Sequence, residues 1–167
     1  MKSNFKFFKK SKFLPVDKFL YNVLYDKKFG YYNSTNPFGP QGDFITSPNI
    51  SNLFSEMIAI WIISTWELFG KPKKINVIEL GPGDGSLVKV LIEVFKRFPE
   101  FNLAKRIYLF DESKLLKKFQ KRNIKNSVKW INDFNCIKGA PVIFFGNEFF
   151  DAIPIKQFKR EKNILFE

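Results

Sequence analysis

The sequence of 167 residues contains no histidine and a single cysteine, Cys136. Without histidine, the chain cannot build a Ser-His-Asp triad, an imidazole general base or a histidine-ligated metal site. A single cysteine excludes an internal disulfide and suits a reducing compartment, in which Cys136 is expected to be a small core residue. We therefore expect no metal site, and the chemistry that remains open needs neither imidazole nor metal.

The sequence also has no long apolar run. The longest uninterrupted apolar stretch, Met57–Ile63, is far shorter than the roughly 20 residues that a membrane span needs, so no span is predicted. Residues 1–14 carry lysines and no acid, but they lack the apolar core of a secretory signal, and they are short and lysine-rich where transit peptides favour arginine and serine. We interpret them as a solvated basic leader. The predicted location is the cytoplasm of a bacterium, with the mitochondrial matrix as the alternative.

The net charge of +12 at pH 7 arises from 28 basic and 16 acidic side chains. A basic surface attracts acidic partners, including the phosphate backbone of nucleic acid. The lysines are scattered through every segment, however, and the sequence lacks the compact basic and aromatic signature of RNA-binding modules. The charge therefore indicates an acidic partner in general and gives little support to nucleic acid.

At this length and with 45% hydrophobic residues, the chain is expected to form one domain with a sizeable core. Two helices are predicted first, over residues 15–30 and 51–69, because apolar side chains recur there at helical spacing. Between them, residues 31–48 are rich in Gly, Pro, Asn and Ser, which predicts a long loop. We therefore divide the chain into a helical N-terminal region, residues 15–72, and a region of alternating strands and helices, residues 73–167.

A three-glycine turn, Gly81-Pro82-Gly83-Asp84-Gly85, joins an apolar strand to a helix. The strand, Ile75–Leu80, is apolar on nearly every residue, as expected of a strand that is buried on both faces of a parallel sheet. The spacing fits neither the dinucleotide fingerprint nor a P-loop, because the sixth position is Ser86 and the turn has no lysine. It resembles the cofactor loop of S-adenosylmethionine (SAM) methyltransferases. Glu79 would accept hydrogen bonds from the cofactor's ammonium, and Gly81, Gly83 and Gly85 would let the backbone approach it closely. An ordinary glycine-rich turn is the alternative.

A second strand is predicted over Arg106–Phe110, and it is followed directly by Asp111. In doubly wound folds, an acid at the end of the second strand holds the ribose hydroxyls, which assigns Asp111 to the ribose of the cofactor. The alternative is that Asp111 and Glu112 lie at a helix N-terminus and complement its dipole. Of the two acids, Asp111 is the better candidate for the ribose because it ends the apolar run.

Four stretches carry a resemblance to a known family, and they occur in the family's order: Phe29-Gly30-Tyr31-Tyr32; Gly42-Asp43-Phe44-Ile45-Thr46-Ser47-Pro48; Glu79-Leu80-Gly81-Pro82-Gly83-Asp84-Gly85; and Asn147-Glu148-Phe149-Phe150-Asp151-Ala152-Ile153-Pro154. On these motifs the chain resembles the MidA-type SAM methyltransferases, whose mitochondrial members act as respiratory complex I assembly factors. The second and fourth stretches are far more specific than the glycine turn. The resemblance implies SAM as cofactor and a protein arginine methyltransferase activity, with a respiratory complex I subunit as the candidate partner.

The resemblance also implies the fold, a class I SAM methyltransferase fold that is Rossmann-like, α/β, with a mostly parallel sheet behind a two-helix N-terminal region. The family implies a much longer protein with more strands than this sequence contains. Apolar runs predict strands near residues 75–80, 106–110, 128–131, 141–146 and 156–166, the last of which can form a hairpin. We therefore expect a C-terminally incomplete fold and, on its own, an incomplete or inactive fragment of the enzyme.

The adenine end of the cofactor site follows from the same resemblance. In related methyltransferases the end of the third strand borders the adenine, which places Asp133 or Phe134 there, since both follow the strand Val128–Ile131. The alternative for Asp133 is a plain loop acid.

Three polar residues, Asn147, Glu148 and Asp151, follow the apolar strand Val142–Phe145 and are the candidate catalytic residues. They lie where open α/β folds place their ligands, at the carboxyl edge of the sheet. A guanidinium stays protonated at neutral pH, so methylating it needs carboxylates that orient it and take up a proton. The alternatives are that Asn147 and Asp151 only cap a turn, that the acceptor is RNA, or that the protein is a non-catalytic assembly scaffold.

The loop of residues 31–48 is predicted to cover the active site, because long glycine-bearing loops commonly exclude water from a reacting centre. In that arrangement Asp43 faces the pocket and Phe44 packs over the cofactor or substrate. The alternative is that Gly42 and Asp43 form a turn which Phe44 anchors to the core.

Overall fold

The computed structural model describes residues 14–34, 37–38, 42–124 and 128–166. The predicted basic leader therefore lies outside the described residues, except for Leu14. The described helices are α1 (Val16–Tyr25), α2 (Tyr31–Ser34), α3 (Ser47–Ile50), α4 (Asn52–Leu68), α5 (Ser86–Phe95), α6 (Pro99–Ala104) and α7 (Lys114–Asn123), with a 3-10 turn at Phe149–Ala152. The described strands are β1 (Ile75–Leu80), β2 (Lys105–Phe110), β3 (Lys129–Ile131), β4 (Val142–Phe145), β5 (Lys159–Glu161) and β6 (Ile164–Phe166).

Four parallel strands form the main sheet in the order β3-β2-β1-β4. Strand β1 is central and pairs with β2 in the register Glu79↔Leu109, and with β4 in the register Glu79↔Phe145. Parallel order requires a crossover between each pair of strands, and helix α5 supplies one such crossover after the glycine turn. All the carboxyl ends of these strands therefore lie at one edge of the sheet, where Glu79 and the residues after β2 and β4 meet.

The larger core lies between this sheet and the helices α4 and α5. Ile75 and Val77 of β1 are fully buried against it. Three aromatic rings pack together in this core: Phe101 is in edge contact with Trp66 at 5.4 Å and with Phe95 at 4.8 Å, measured between ring centroids. Such pairs add to the free energy gained by burying large apolar area. This core holds β1, and hence the turn that follows it, in a fixed position.

The predicted strands agree with the structure, and the runs near residues 156–166 form the hairpin β5–β6. The N-terminal region differs in detail, because α1 ends at Tyr25 rather than near residue 30, and α2 and α3 lie in the segment that was predicted to be a loop. Asp26 ends α1 by accepting hydrogen bonds from the backbone N–H groups of Lys28 and Phe29. Helix α6 was not predicted. The expectation that Cys136 is a core residue is wrong, since Cys136 is exposed in the turn that follows β3.

Among the helices that the structure describes, none is both long and apolar enough to cross a membrane. Helix α4 illustrates the reason: it is the longest, at 17 residues, and it ends at Leu68, where Gly70 turns the chain with φ of 79°.

Candidate functional site

A cavity of about 340 Å³ opens at the carboxyl edge of the sheet. It lies where parallel α/β sheets usually bind their ligands. Its lining brings together the glycine turn, the end of β2, the segment after β4 and the N-terminal region. The described lining residues are Tyr21, Tyr25, Tyr32, Phe38, Phe44, Thr46, Gly81, Gly83, Phe110, Asp111, Glu112, Leu116, Asn147, Glu148, Phe149, Asp151, Ala152, Ile153 and Pro154.

The three glycines of the turn all have positive φ, at 62° for Gly81, 55° for Gly83 and 86° for Gly85. Side-chain-bearing residues rarely adopt this conformation. A Cβ atom at Gly81 would lie 2.7 Å from the ring of Phe149, and one at Gly85 would lie 2.7 Å from Ile124. At Gly83 the nearest atoms, in the ring of Phe38, are 3.4 Å away. Gly81 and Gly85 are therefore needed for packing, whereas Gly83 keeps the space between the turn and Phe38 open.

Glu79 lies at the end of β1 and is 2% exposed. Among the described residues, its Oε2 atom has no hydrogen-bond partner. Burial, with the nearby charges of Asp84 and Asp111, raises the pKa of Glu79 to about 8. It lines a small cavity of about 30 Å³ that shares Gly81, Gly83 and Asn147 with the large one. An unpartnered buried carboxyl is costly, and a cationic ligand such as an ammonium group would satisfy it.

Asp111 follows β2 directly, lines the cavity and is 8% exposed. Its Oδ1 atom accepts a hydrogen bond from the backbone N–H of Ser113 at 2.8 Å, and its Oδ2 atom accepts one from Gln120 Nε2 at 2.7 Å. Burial raises its pKa to about 6, although these two hydrogen bonds oppose the shift. The cap of α7 is Ser113, whose Oγ accepts from the backbone N–H of Leu116, so Asp111 is not the helix-capping residue.

Gln120 is a site residue that the sequence reasoning missed. Its side chain is fully buried, and Nε2 donates both to Asp111 Oδ2 and to the backbone oxygen of Gly83, at 2.9 Å. Its Oε1 atom accepts from the indole N–H of Trp130 on β3, at 2.9 Å. Gln120 thus joins the glycine turn, the acid after β2 and the third strand. The available signal was its position one turn after Leu116, on the buried face of a lysine-rich helix.

Asn147, Glu148 and Asp151 all line the cavity, as the sequence predicts for residues at this edge of the sheet. Glu148 adopts a left-handed conformation, with φ of 56° and ψ of 22°, and precedes the 3-10 turn Phe149–Ala152. A non-glycine residue held in this region costs free energy, and such residues are often found at functional sites. The ring of Phe149 packs close to Gly81, which joins this segment to the glycine turn.

Asp133 and Phe134 are not among the described residues that line the cavity. Asp133 is exposed in the turn after β3, where its Oδ1 accepts from the backbone N–H of Asn135 at 2.8 Å. The ring of Phe134 lies 4.9 Å from that of Phe110 and 5.5 Å from that of Phe144, measured between centroids. Phe134 therefore contacts the lining residue Phe110 without lining the cavity itself, whereas the carboxylate of Asp133 accepts a hydrogen bond within its own turn.

Asp43 and Phe44 are placed differently by the structure. Phe44 lines the cavity, and its ring contacts that of Tyr31 at a centroid distance of 6.2 Å. Asp43 is exposed and does not belong to the described lining; its Oδ2 accepts a hydrogen bond from the hydroxyl of Tyr31 at 2.5 Å. Burial and the Asp43 hydrogen bond raise the pKa of Tyr31 to about 12. Phe44 thus belongs to the cavity wall, whereas Asp43 is bonded to Tyr31 outside the described lining.

Asp43→Asn is therefore expected to change the affinity for SAM by less than about fivefold, because an exposed side-chain hydrogen bond is worth roughly 1 kcal/mol or less. Phe44→Ala, which removes the ring from the cavity wall, should weaken binding more than Asp43→Asn does. Isothermal titration calorimetry with both variants measures the difference. A larger loss of SAM affinity for Asp43→Asn than for Phe44→Ala would show that the Asp43 carboxylate faces the cavity.

Three tyrosines of the N-terminal region, Tyr21, Tyr25 and Tyr32, also line the cavity and were not predicted as site residues. The hydroxyl of Tyr25 donates to the backbone oxygen of Ala152 at 3.0 Å. The hydroxyl of Ser113 donates to the backbone oxygen of Tyr32 at 2.5 Å. These two bonds fix α1 and α2 against the segments that follow β4 and β2. Tyr32 lies within a family motif, whereas only the spacing of Tyr21 and Tyr25, one helical turn apart, could have indicated them.

Comparison with known proteins identifies a family that this chain matches. A family model described as "Putative S-adenosyl-L-methionine-dependent methyltransferase" matches residues 57–167. The mitochondrial protein arginine methyltransferase NDUFAF7 of Xenopus laevis is 30% identical over 90% of this chain, and that of Homo sapiens is 30% identical over 88%. The chain spans 40% and 39% of the lengths of these two relatives.

One solved structure, a Burkholderia thailandensis protein bound to S-adenosyl-homocysteine, matches with a TM-score of 0.70 and 24% identity. The match covers 84% of this chain and 38% of that one. At this level of identity, the likeness shows the fold.

Proposed function

The chain belongs to the S-adenosyl-L-methionine-dependent methyltransferase family that its residues 57–167 match, and from this we propose that its cavity binds SAM and serves methyl transfer to a protein arginine. The membership confirms the resemblance read from the four sequence motifs, and the matching structure confirms the class I α/β fold. Because the chain spans about two fifths of the relatives' length, its activity, acceptor and partners are matters of proposal.

The residues at the cavity fit SAM in charge and in shape. The buried Oε2 atom of Glu79, which lacks a hydrogen-bond partner within the described part of the chain, suits the cofactor's ammonium group. The open space beside Gly83 suits a ligand that lies close to the backbone. Asp111, fixed by Ser113 and Gln120, retains free lone pairs for ribose hydroxyls. When bound, SAM supplies a methyl group already activated for transfer, so the protein must chiefly bind and orient the two reactants.

The observation that carries the choice of acceptor is the charge of the cavity. Every charged residue in its described lining is acidic, namely Asp111, Glu112, Glu148 and Asp151, although the whole chain has a net charge of +12. An acidic cavity favours a cationic acceptor such as a guanidinium and disfavours a nucleic-acid phosphate backbone. This supports arginine over RNA as the acceptor. The printed names of the relatives agree with that choice.

Glu148 and Asp151 are proposed to act on the acceptor. A guanidinium keeps its proton at neutral pH, with a pKa above about 12, so the reacting nitrogen must be oriented and must release one proton as its bond to the methyl carbon forms. The carboxylates of Glu148 and Asp151, on the wall after β4, are placed to hold the guanidinium and to accept that proton. Asn147 lines both cavities and offers a carbonyl oxygen between the proposed ammonium and acceptor positions.

The partner and the cellular location are proposed from the family alone. The relatives are named mitochondrial, which favours the mitochondrial matrix over the bacterial cytoplasm. A respiratory complex I subunit as acceptor rests on the resemblance to the MidA-type family.

Labelled SAM and three candidate acceptors test the proposal. We expect the chain to bind SAM in a 1:1 ratio by calorimetry. A protein of the relatives' full length should transfer label to an arginine peptide, with none on the matched lysine peptide and none on RNA. Label on RNA would favour the RNA methyltransferase alternative, and SAM binding without transfer to any acceptor would favour the scaffold. Failure to bind SAM would overturn the cofactor assignment itself.

A further inference from the structure

The N-terminal region builds an aromatic wall along one side of the cavity. Tyr21 and Tyr25 lie one helical turn apart on α1, with ring centroids at 5.9 Å. Tyr25 stacks on Tyr32 of α2 at 5.6 Å, and Tyr32 stacks on Phe38 at 6.4 Å. All four rings line the cavity. The ring contacts thus run without a break from Tyr21 on α1 to Phe38.

The acidic residues of the cavity lie close to this wall. The pKa of Tyr32 is raised by burial first, and then by the charges of Asp111, Asp151 and Glu148. The pKa of Tyr25 is raised by burial first, and then by Tyr32, Asp111 and other neighbouring groups. The phenols therefore stay neutral at all working pH values, and they lie within electrostatic reach of the carboxylates that are proposed to hold the acceptor.

The hydroxyl of Tyr25 is already bonded to the backbone oxygen of Ala152, so it is less available to a ligand than the ring is. Tyr25 and Phe38 each stack on Tyr32, so the ring face most open to a ligand is that of Tyr21, which meets Tyr25 at a tilt. An open aromatic face beside carboxylates is the arrangement that recognises a delocalised cation, because the negative face of the ring attracts it and the carboxylates neutralise it. A guanidinium is flat and weakly hydrated, and it stacks on such rings better than an ammonium does.

We propose that Tyr21, Tyr25 and Tyr32 form the acceptor subsite, which stacks the guanidinium of an arginine side chain and selects it over neutral side chains. This inference rests on the proposed function, since it specifies how the same cavity recognises its acceptor. The N-terminal helices thereby contribute to substrate recognition, in addition to packing against the sheet domain. The rings position the acceptor, and the carboxylates remain the groups that act on its proton.

Tyr21 is the residue to change, because it is 50% exposed and its loss should leave the fold intact. The test uses the whole chain saturated with S-adenosyl-homocysteine and two peptides, one with arginine and one with the neutral isostere citrulline. We expect the wild type to prefer arginine by at least about tenfold. Tyr21→Leu should weaken arginine binding by about 3- to 30-fold without changing citrulline binding, and Tyr21→Phe should restore most of the loss.

The matched control is Phe69→Leu, which removes an exposed ring at the end of α4, outside the described cavity lining, and should leave both affinities unchanged. Equal arginine binding by the wild type and Tyr21→Leu would overturn the inference. It would also be overturned if Tyr21→Leu weakened S-adenosyl-homocysteine by the same factor as arginine, since the rings would then stack the adenine. A wild type that binds S-adenosyl-homocysteine but does not prefer arginine would instead overturn the proposed acceptor.

Discussion

Gly83→Val is expected to weaken SAM binding by on the order of 100-fold while the chain still folds. Gly83 has φ of 55° and lies between the two cavities, with the ring of Phe38 3.4 Å from the position of its missing Cβ. The two methyl groups of valine would extend from that position into the space the cofactor is proposed to occupy. The backbone conformation adds a cost of about 1–2 kcal/mol to folding, which lowers stability but does not itself block the cavity.

Gly70→Val provides the matched control for this experiment. Gly70 also has positive φ, at 79°, but nothing lies within 4 Å of its missing Cβ, and it is at the far end of α4. Both variants should therefore lose similar stability in thermal melts, whereas only Gly83→Val should lose SAM affinity in calorimetry. If the two variants bound SAM equally well, the glycine turn would be an ordinary turn and the cofactor assignment would fail.

The second large effect is expected from Glu79→Gln, which keeps the size of the side chain but removes its charge. A hydrogen bond to a charged group is worth about 1.5–3 kcal/mol, so we expect the affinity for SAM to fall by roughly 10- to 150-fold at pH 8. The Oε2 atom of Glu79 is buried and has no hydrogen-bond partner among the described residues, which makes the cofactor's ammonium its proposed counter-charge. Calorimetry at pH 8 measures the loss.

The pH dependence gives this prediction a distinctive form. The pKa of Glu79 is about 8, so the carboxyl carries a proton at pH 7 and must release it to pair with an ammonium group. Wild-type affinity should therefore rise with pH up to about 8, with up to one proton released per SAM bound, whereas Glu79→Gln should show neither effect. Titrations at pH 7 in buffers of different ionisation enthalpy would detect the proton. The same heat in every buffer would show that Glu79 does not meet the cofactor.

Stability should follow the opposite trend. The folded pKa of about 8 lies above the ordinary value of 4.5 for a glutamate, so the folded state holds a proton that the unfolded state has lost between these two pH values. The free energy of unfolding of the wild type should therefore fall, relative to that of Glu79→Gln, as pH rises from about 4.5 to about 8. Binding and stability thus respond to the same proton with opposite signs.

Much of the fold was accessible from sequence because its signals are local. The apolar run before Gly81 predicted a buried strand, and the three glycines predicted a turn from that strand into a helix. The residues after β2 and β4 were also placed correctly at the cavity, since parallel strands bring their carboxyl ends together. Asp111, Asn147, Glu148 and Asp151 follow from that rule alone.

The remaining site residues depend on contacts between distant parts of the chain. Tyr25 meets Ala152 across 127 residues of sequence, and Tyr32 meets Ser113 across 81. The helical or strand periodicity of a sequence does not predict contacts between residues so far apart in the chain. Asp43 and Asp133 show the converse, because their motif or strand position suggested the cavity while a local hydrogen bond to Tyr31 or to Asn135 holds each carboxylate elsewhere.

The strand order also governs the sequence of folding events. Strand β1 pairs with β2 in the register Asn76↔Arg106 and with β4 in the register Asn76↔Val142, so its second partner lies much further along the chain. Non-local parallel pairing is slow, because a large loop must close, at a cost in chain entropy, before the contacts between the strands can form. During synthesis, the helical core and the β1–β2 pair can form well before β4 emerges from the ribosome. The ligand-binding wall after β4 is therefore the last part of this cavity to be assembled.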